Sequence, residues 1–456
     1  MTRLLGPDAG SRYCYDRDSG APAKGRQAVV YADSAGTVPA DIRTYDGTET
    51  PGATIAGALV TTDAYGQLPL VWFPEDADRL YVKVGNGPLF PIDADNNRRI
   101  DRLGHDPALR KWFATLGGRY GSVTSVVVFG DSISEGYGAT SVLRRWQHVL
   151  QAELRSRFQP GGVAGAAVPY ICASPRVVPI PADYPRTATA GVTASGNGLG
   201  LRAAIIPAGE NVSFTFTGTR AKLLGTKSSS AGKFGIILDG AAEVVVDGFA
   251  ASLTSGVLIW DSGPLTSGEH TVRVQRSPTT TASPGNVVLE GLMTYDGDES
   301  AGVRVIDASK SGTTLSSFTA STAWQDAFSA VEGKGLLVMA WGANDATAGT
   351  SPTAFRAELE TLIANARAAG WDGSVLLLKM PKRGSASETT WAAYLAEMDA
   401  IAASDPDVAT LDLRSRIPDQ GTAEATALGL YVDEAHHSDK GQGLIAGHVA
   451  SAIMPR

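Results

Sequence analysis

Cysteine is almost missing from this chain of 456 residues: there are two, Cys14 and Cys172, far apart. So sparse a pair excludes a disulfide framework and reads as two free thiols. No Cys or His pair has the spacing of a zinc site, and the adjacent His436 and His437 cannot close one by themselves. No metal or other cofactor is implied. No stretch approaches the roughly 20 apolar residues of a membrane span. Basic blocks are also missing and the net charge is −8, which argues against nucleic acid as a partner. The opening stretch MTRLLGPDAGSRYCYDRDSG has no apolar core of a secretory signal. Aromatic residues are few, whereas the 52 glycines predict many turns and short strands. The length suits two to four globular domains.

The pattern along the chain changes three times. Residues 1–100 hold short β-branched runs (RQAVVYAD, ATIAGALVTT, RLYVKVGNGPLFPID) separated by Gly, Pro and Asp, a β-rich domain. NNRRIDRLGHDPALRKWFATLGG reads as a linker and docking segment. In 101–164, VTSVVVF is a continuous apolar run, as in a strand buried on both faces. SVLRRWQHVLQAELRSRF follows with apolar residues at helical spacing and predicts a helix. Residues 165–300 are different: GLGLRAAIIPAG, NVSFTFTG, RAKLLGTK, FGIILDG, AEVVVDGF, SGVLIWDSG, HTVRVQRS and VVLEGLMTYDG are strand-like and predict a β-sandwich. In 301–456 strands and helices alternate: VRVID, helix STAWQDAFSAV, GLLVMAW, helix SPTAFRAELETLIANARAAG, SVLLLKM, helix ETTWAAYLAEMDAIAAS, VATLDL, helix DKGQGLIAGHVASAIM. Five buried strands with intervening helices predict an α/β fold, a doubly wound parallel sheet into which the sandwich is inserted after the first βα unit.

In such a sheet, ligand sites form beyond the carboxyl ends of the strands. There stand GDSIS with Ser132, ASKSGTT with Gly312, WGANDA with Asn344, and, before the last helix, YVDEAHHSDKG with Asp433 and His436. Each is ambiguous alone. Ser132 and Asp131 are turn material, Asn344 and Asp345 suit a helix cap, and His436 is one surface histidine among several. His437 reads as structural or as a substrate edge, and His105, His148, His270 and His448 as structural. Trp260, Tyr295 and Trp341 offer faces either to sugar rings or to the core.

Together, FGDSIS, VIDASKSGTTL, WGAND and DEAHHSDKGQGLIA resemble, in order, the four blocks of the SGNH hydrolases, the GDSL-like esterase family. The resemblance covers about 125–160 and 302–456. Ile133 stands where the family often has Leu, and His437 where Pro is frequent. It implies a flavodoxin-like sheet and a carboxylic ester hydrolase. Ser132 would be the nucleophile, His436 the base and Asp433 its orienting carboxylate. The N–H groups of Ser132 and Gly312 and the amide of Asn344 would receive the oxyanion.

LVTTDAYGQLPLVWFPEDADRLYVKVGNGPLFPID resembles the N-terminal region of tail proteins of phages that infect actinobacteria. That implies an attachment module, with other tail proteins as partners, homo-oligomers as an option, and a virion or otherwise extracellular location. The insert, with IWDSGPLTSGEHTVRVQR, is similar to jelly-roll modules beside carbohydrate-active esterases; it reads as a glycan binder, a wall of the site, or a spacer. The expectation is an esterase that removes O-acyl groups, O-acetyl first, from a bacterial surface polysaccharide. The rivals are a lipid or other carboxylic ester hydrolase and a tail protein that binds glycan without cleaving it.

Overall fold

The computed structural model describes residues 3–4, 25–44, 53–62, 68, 71–73, 79–85, 89–93 and 106–454, the last stretch without 178 and 279–284. It divides into two compact units, 1–106 with 455–456, and 107–454. In the first, the strands Leu59–Thr61, Gln27–Tyr31, Arg79–Val84 and Leu89–Asp93 form an antiparallel sheet in that order. Alternation places Ala28, Val30, Val60, Leu80 and Val82 in one core. Cys14, His105, the linker stretch as far as 105, and parts of the tail-like stretch lie outside the described residues.

The second unit is built on five parallel strands: β1 Val123–Gly130, β2 Gly302–Asp307, β3 Lys334–Ala340, β4 Ser374–Lys379 and β5 Val408–Asp412. Their order is β2-β1-β3-β4-β5, so the direction of winding reverses between β1 and β3. All eight residues of β1 are buried. Val126 and Val128 face the helices Arg110–Gly117, Trp146–Phe158 and Asp439–Ile453. Val127 and Phe129 face Leu315–Thr319, Gln325–Ser329, Pro352–Ala368 and Glu388–Ser404. Phe129 is central to an aromatic cluster, 5.2 Å from Trp324 edge-on and 5.5 and 5.3 Å from Phe318 and Phe328. Such pairs add about 0.5–1.5 kcal/mol each beyond the area they bury. They hold the end of β1 in place just before Ser132.

Between Trp146–Phe158 and β2 the chain forms two antiparallel sheets around their own core of Phe214, Leu223, Phe234, Val272, Leu289 and neighbours. Tyr170, Cys172, Leu224, Met293 and Tyr295 from this region pack against the second face of the parallel sheet.

Three local expectations differ. The helix expected from 141 starts as a short 3-10 turn, Val142–Arg144, and breaks at Arg145, whose backbone is extended (ψ 142°). That break lets the buried Arg145 side chain reach Glu135 O and Asp307. The strand expected over 198–209 begins only at Ala203. Leu199–Leu201 is a 3-10 turn between Gly198 and Arg202, and Arg202 turns inward to Glu135 and Asp307. The helix expected over 321–331 is only Gln325–Ser329, preceded by Leu315–Thr319. The Trp324 indole N–H donates to Phe318 O and ties the two together.

Candidate active site

β1 ends where it must approach β3 closely. A Cβ at Gly130 would lie 2.4 Å from Ser134 Oγ and 2.7 Å from Ala340 O, so only glycine fits. Asp131 caps the next turn, its Oδ1 accepting the Ile133 N–H at 2.9 Å. The helix Ser132–Glu135 is closed by Gly136 at φ 88°. Ser132 therefore stands at the first helical position, clear of the sheet and 9% exposed.

The chain brings His436 to it from 304 residues away, with Ser132 Oγ 2.7 Å from His436 Nε2. His436 Nδ1 is 2.7 Å from Asp433 Oδ2. Asp433 Oδ1 accepts the N–H groups of Ala435 and His436, both at 2.8 Å, which fixes the turn between acid and imidazole. Burial works against charge on Asp433, but the hydrogen bonds from the His436 ring and the two N–H groups outweigh it and keep the carboxyl below its usual range. With Nδ1 donating to a carboxylate, Nε2 is left as acceptor for the Ser132 hydroxyl. The Tyr137 ring stacks on His436 at 3.9 Å. Gly138 (φ +89°) is needed beside it, since a Cβ there would meet His437 O at 2.6 Å.

Gly312 sits after β2 at φ +76° with open space where a side chain would be. Its loop is pinned by Lys310 N–H to Gly130 O (2.9 Å) and Ser311 N–H to Glu135 Oε2 (2.6 Å). Asn344 is the second residue of the short helix Ala343–Thr347 after β3 and donates from Nδ2 to Thr313 O at 2.8 Å. Among the described residues, the N–H groups of Ser132 and Gly312 have no hydrogen-bond partner. Ser132, Gly312, Asn344, Asp433 and His436 all line one solvent-open cleft. The structure thus brings all five together.

Behind the cleft lie groups the sequence reading passed over. Glu135, fully buried, accepts from Arg202 Nη1 (3.1 Å), Arg176 N–H (2.8 Å) and Ser311 N–H (2.6 Å). Asp307 accepts from Arg145 and Arg202. Glu135 stands three residues past the nucleophile, where a one-turn helix turns its side chain inward, and nothing in composition marks that. Asp131 and Asp345 are buried near each other. Burial pushes Asp131 up to about 7, helped by the Asp345 charge, and burial pushes Asp345 up to about 6.

The remaining candidates have other surroundings. His437 is buried, pushed down to about 3 by burial and then by His436, and packs on Tyr431 as a neutral ring. His270 pairs with Asp239 at 2.7 Å in the sandwich, and His148 is buried. Trp341 and Tyr295 are core residues, and Trp260 packs half-buried against the sandwich core. Cys172 is buried, its Sγ 3.1 Å from Tyr184 Oη. No helix among the described residues is long and apolar enough to cross a membrane.

No protein-family model and no curated protein matches this chain. Similarity is found among solved structures. A peptidoglycan O-acetylesterase shares the fold at a TM-score of 0.56 and 14% identity, over 76% of this chain and 94% of that one. Two further structures score lower. A family two carbohydrate esterase from Clostridium thermocellum in complex with cellohexaose has a TM-score of 0.27 and 17% identity, over 57% of this chain and 97% of that one. A salicylyl-acyltransferase from a tetracycline biosynthetic pathway has a TM-score of 0.28 and 12% identity, over 59% of this chain and 95% of that one. At such identities the likeness is one of fold, and function has to be argued from the site.

Proposed function

We propose that this chain is a serine carboxylic ester hydrolase that removes small acyl groups, O-acetyl first among them, from a bacterial cell-surface polysaccharide. The observation that carries the reading is the unbroken hydrogen-bonded line from Ser132 through His436 to Asp433, 2.7 Å at each step. His436 Nε2 takes the Ser132 proton as Oγ attacks the ester carbonyl, and Asp433 steadies the imidazolium. The oxyanion meets the unpartnered N–H groups of Ser132 and Gly312 and the Asn344 amide. The tetrahedral adduct then collapses, its bond to the sugar oxygen breaks, and His436 hands its proton to that oxygen, which leaves as a hydroxyl. Water repeats the sequence on the acyl-serine, releasing the carboxylic acid and restoring Ser132.

The cleft wall favours a short acyl group over a lipid chain. Tyr137, Ala343 and Ala435 are its only apolar members among the described residues, and the rest are polar or glycine. The fold shared with a peptidoglycan O-acetylesterase supports ester cleavage on glycan. We further assign the chain to a phage tail acting at the host surface; the support is the resemblance of residues 59–93, and absence of the chain from purified particles would remove that part. Ser132→Ala should abolish hydrolysis of p-nitrophenyl acetate and release of acetate from host envelope glycan, with an unchanged thermal melt. Retained turnover would refute the nucleophile. Glycan binding by the unaltered chain without turnover of any acylated substrate would favour a binding role.

A further inference from the structure

The charged side chains that line the cleft are paired, with one exception. Asp433 holds His436. Arg383 Nη2 and Glu434 Oε1 are 2.9 Å apart, and Arg383 Nη1 donates to Ala343 O and Thr347 Oγ1. The exception is Arg176. It arrives with the first segment of the insert, whose strand Tyr170–Cys172 pairs with Val287–Tyr295. The N–H groups of Ala173 and Ser174 bond Glu290 O and Arg202 O, both at 3.0 Å, and Arg176 N–H donates to Glu135 Oε1 at 2.8 Å. Its backbone is therefore fastened to the helix that carries Ser132. Its side chain is exposed in the cleft and has no acidic partner among the described residues.

A second cation stands next to it. Lys310, on the Gly312 loop, is half-buried, and its ammonium is held below the usual range by burial and then by the Arg176 charge. Glu135, whose charge also acts on Lys310, already accepts from Arg202, Arg176 N–H and Ser311 N–H. A chain of net charge −8 thus keeps the Arg176 guanidinium without an acidic partner in the cleft of its reactive serine, with the Lys310 ammonium close enough to feel that charge. Such a local excess focuses the field on an incoming anion.

We propose that Arg176, backed by Lys310, recognises an anionic group of the acylated saccharide, a carboxylate or phosphate on or beside the sugar whose ester is cleaved. The proposal rests on the esterase reading for the ester and on charge alone for the anion. A guanidinium offers a planar fork that fits either group. The parallel sheet then supplies the chemistry, and the insert selects the polymer.

The test measures binding and turnover separately. Calorimetry on the Ser132→Ala chain uses an oligogalacturonide, a glycerol phosphate oligomer and a neutral xylo-oligosaccharide. One anionic oligomer should bind, and which one identifies the source of the charge. Its affinity should fall about tenfold with Arg176→Ala, recover in part with Arg176→Lys, and weaken with salt as screening predicts. With Ser132 intact, Arg176→Ala should lower the ratio of kcat/KM on the acetylated anionic oligomer to that on acetylated xylo-oligosaccharide about tenfold, chiefly through KM. Equal binding of neutral and anionic oligomers, binding of neither anion, or an equal loss on both esters would overturn the subsite. Failure of the esterase reading shows elsewhere, as no turnover of p-nitrophenyl acetate by the unaltered chain, and the binding measurements still decide the subsite.

Discussion

Replacing Glu135 with Gln changes one buried carboxylate oxygen into an amide NH2 and tests how far the reactive geometry depends on what lies behind it. Glu135 uses both carboxylate oxygens: Oε1 accepts from Arg202 Nη1 and Arg176 N–H, and Oε2 from Ser311 N–H. Whichever way the amide of Gln faces, its NH2 confronts a donor, either Ser311 N–H or the Arg202 guanidinium. Leaving a buried donor unmatched costs about 1–3 kcal/mol. Removing one member of a buried ion pair costs about 3–5 kcal/mol. Arg202 keeps Asp307 at 3.1 Å, which puts the loss near the lower end of that range. For a cooperative unit this large, about 2 °C per kcal/mol applies, so the melt should drop by roughly 6–8 °C. Ser311 N–H anchors the loop immediately before Gly312, so kcat on p-nitrophenyl acetate should fall about tenfold with little change in KM, as expected when a transition-state contact is misplaced. The measurements are a thermal melt by circular dichroism and initial rates at pH 7.5. A melt within 2 °C of the parent together with kcat within twofold would refute the reasoning.

Asn344→Ala should lower kcat by about 10²–10³, equivalent to roughly 3–4 kcal/mol, with KM nearly unchanged; a loss under threefold would remove Asn344 from the oxyanion site. Asp131→Asn tests the buried acid. The folded-state value of about 7 lies above the ordinary 3.8, so the stability Asp131 contributes is whole below pH 3.8 and is lost as pH rises through about 7. That loss is as much as ~4 kcal/mol. Asn keeps an oxygen to cap Ile133 N–H and has no charge to form. The melt of Asp131→Asn relative to the parent should therefore climb between pH 4 and pH 8, and a difference independent of pH would sink this account.

The parallel sheet was legible because strands buried on both faces are written as unbroken apolar runs, and VTSVVVF leaves little choice. The helix SPTAFRAELETLIANARAAG was legible too, and Ser351 at its head caps it, its side chain accepting from Ala354 N–H at 3.2 Å. The residues at the strand ends were legible only jointly, since a Ser, a Gly, an Asn and a His each have commoner uses than chemistry. What could not be read was the layer behind them. Arg145, Arg202, Glu135 and Asp307 are charged residues, and a sequence pattern places such residues at the surface. Their mutual pairing buries them, and that pairing is a tertiary fact. The same four explain the misread helix start at 141 and the misread strand start at 198. In both places local propensity gives way so that an arginine can point inward.

The knot of Arg202, Glu135 and Asp307 also bears on modularity. Sandwich modules between two halves of a sheet are often thought of as exchangeable cassettes. Here the cassette donates a guanidinium to the turn after the nucleophile and a main-chain N–H from Arg176 to the same acid. A graft that replaced it would inherit a fully buried glutamate with two of its three donors gone. Domain shuffling at this position is therefore constrained to modules that bring an equivalent arginine with them.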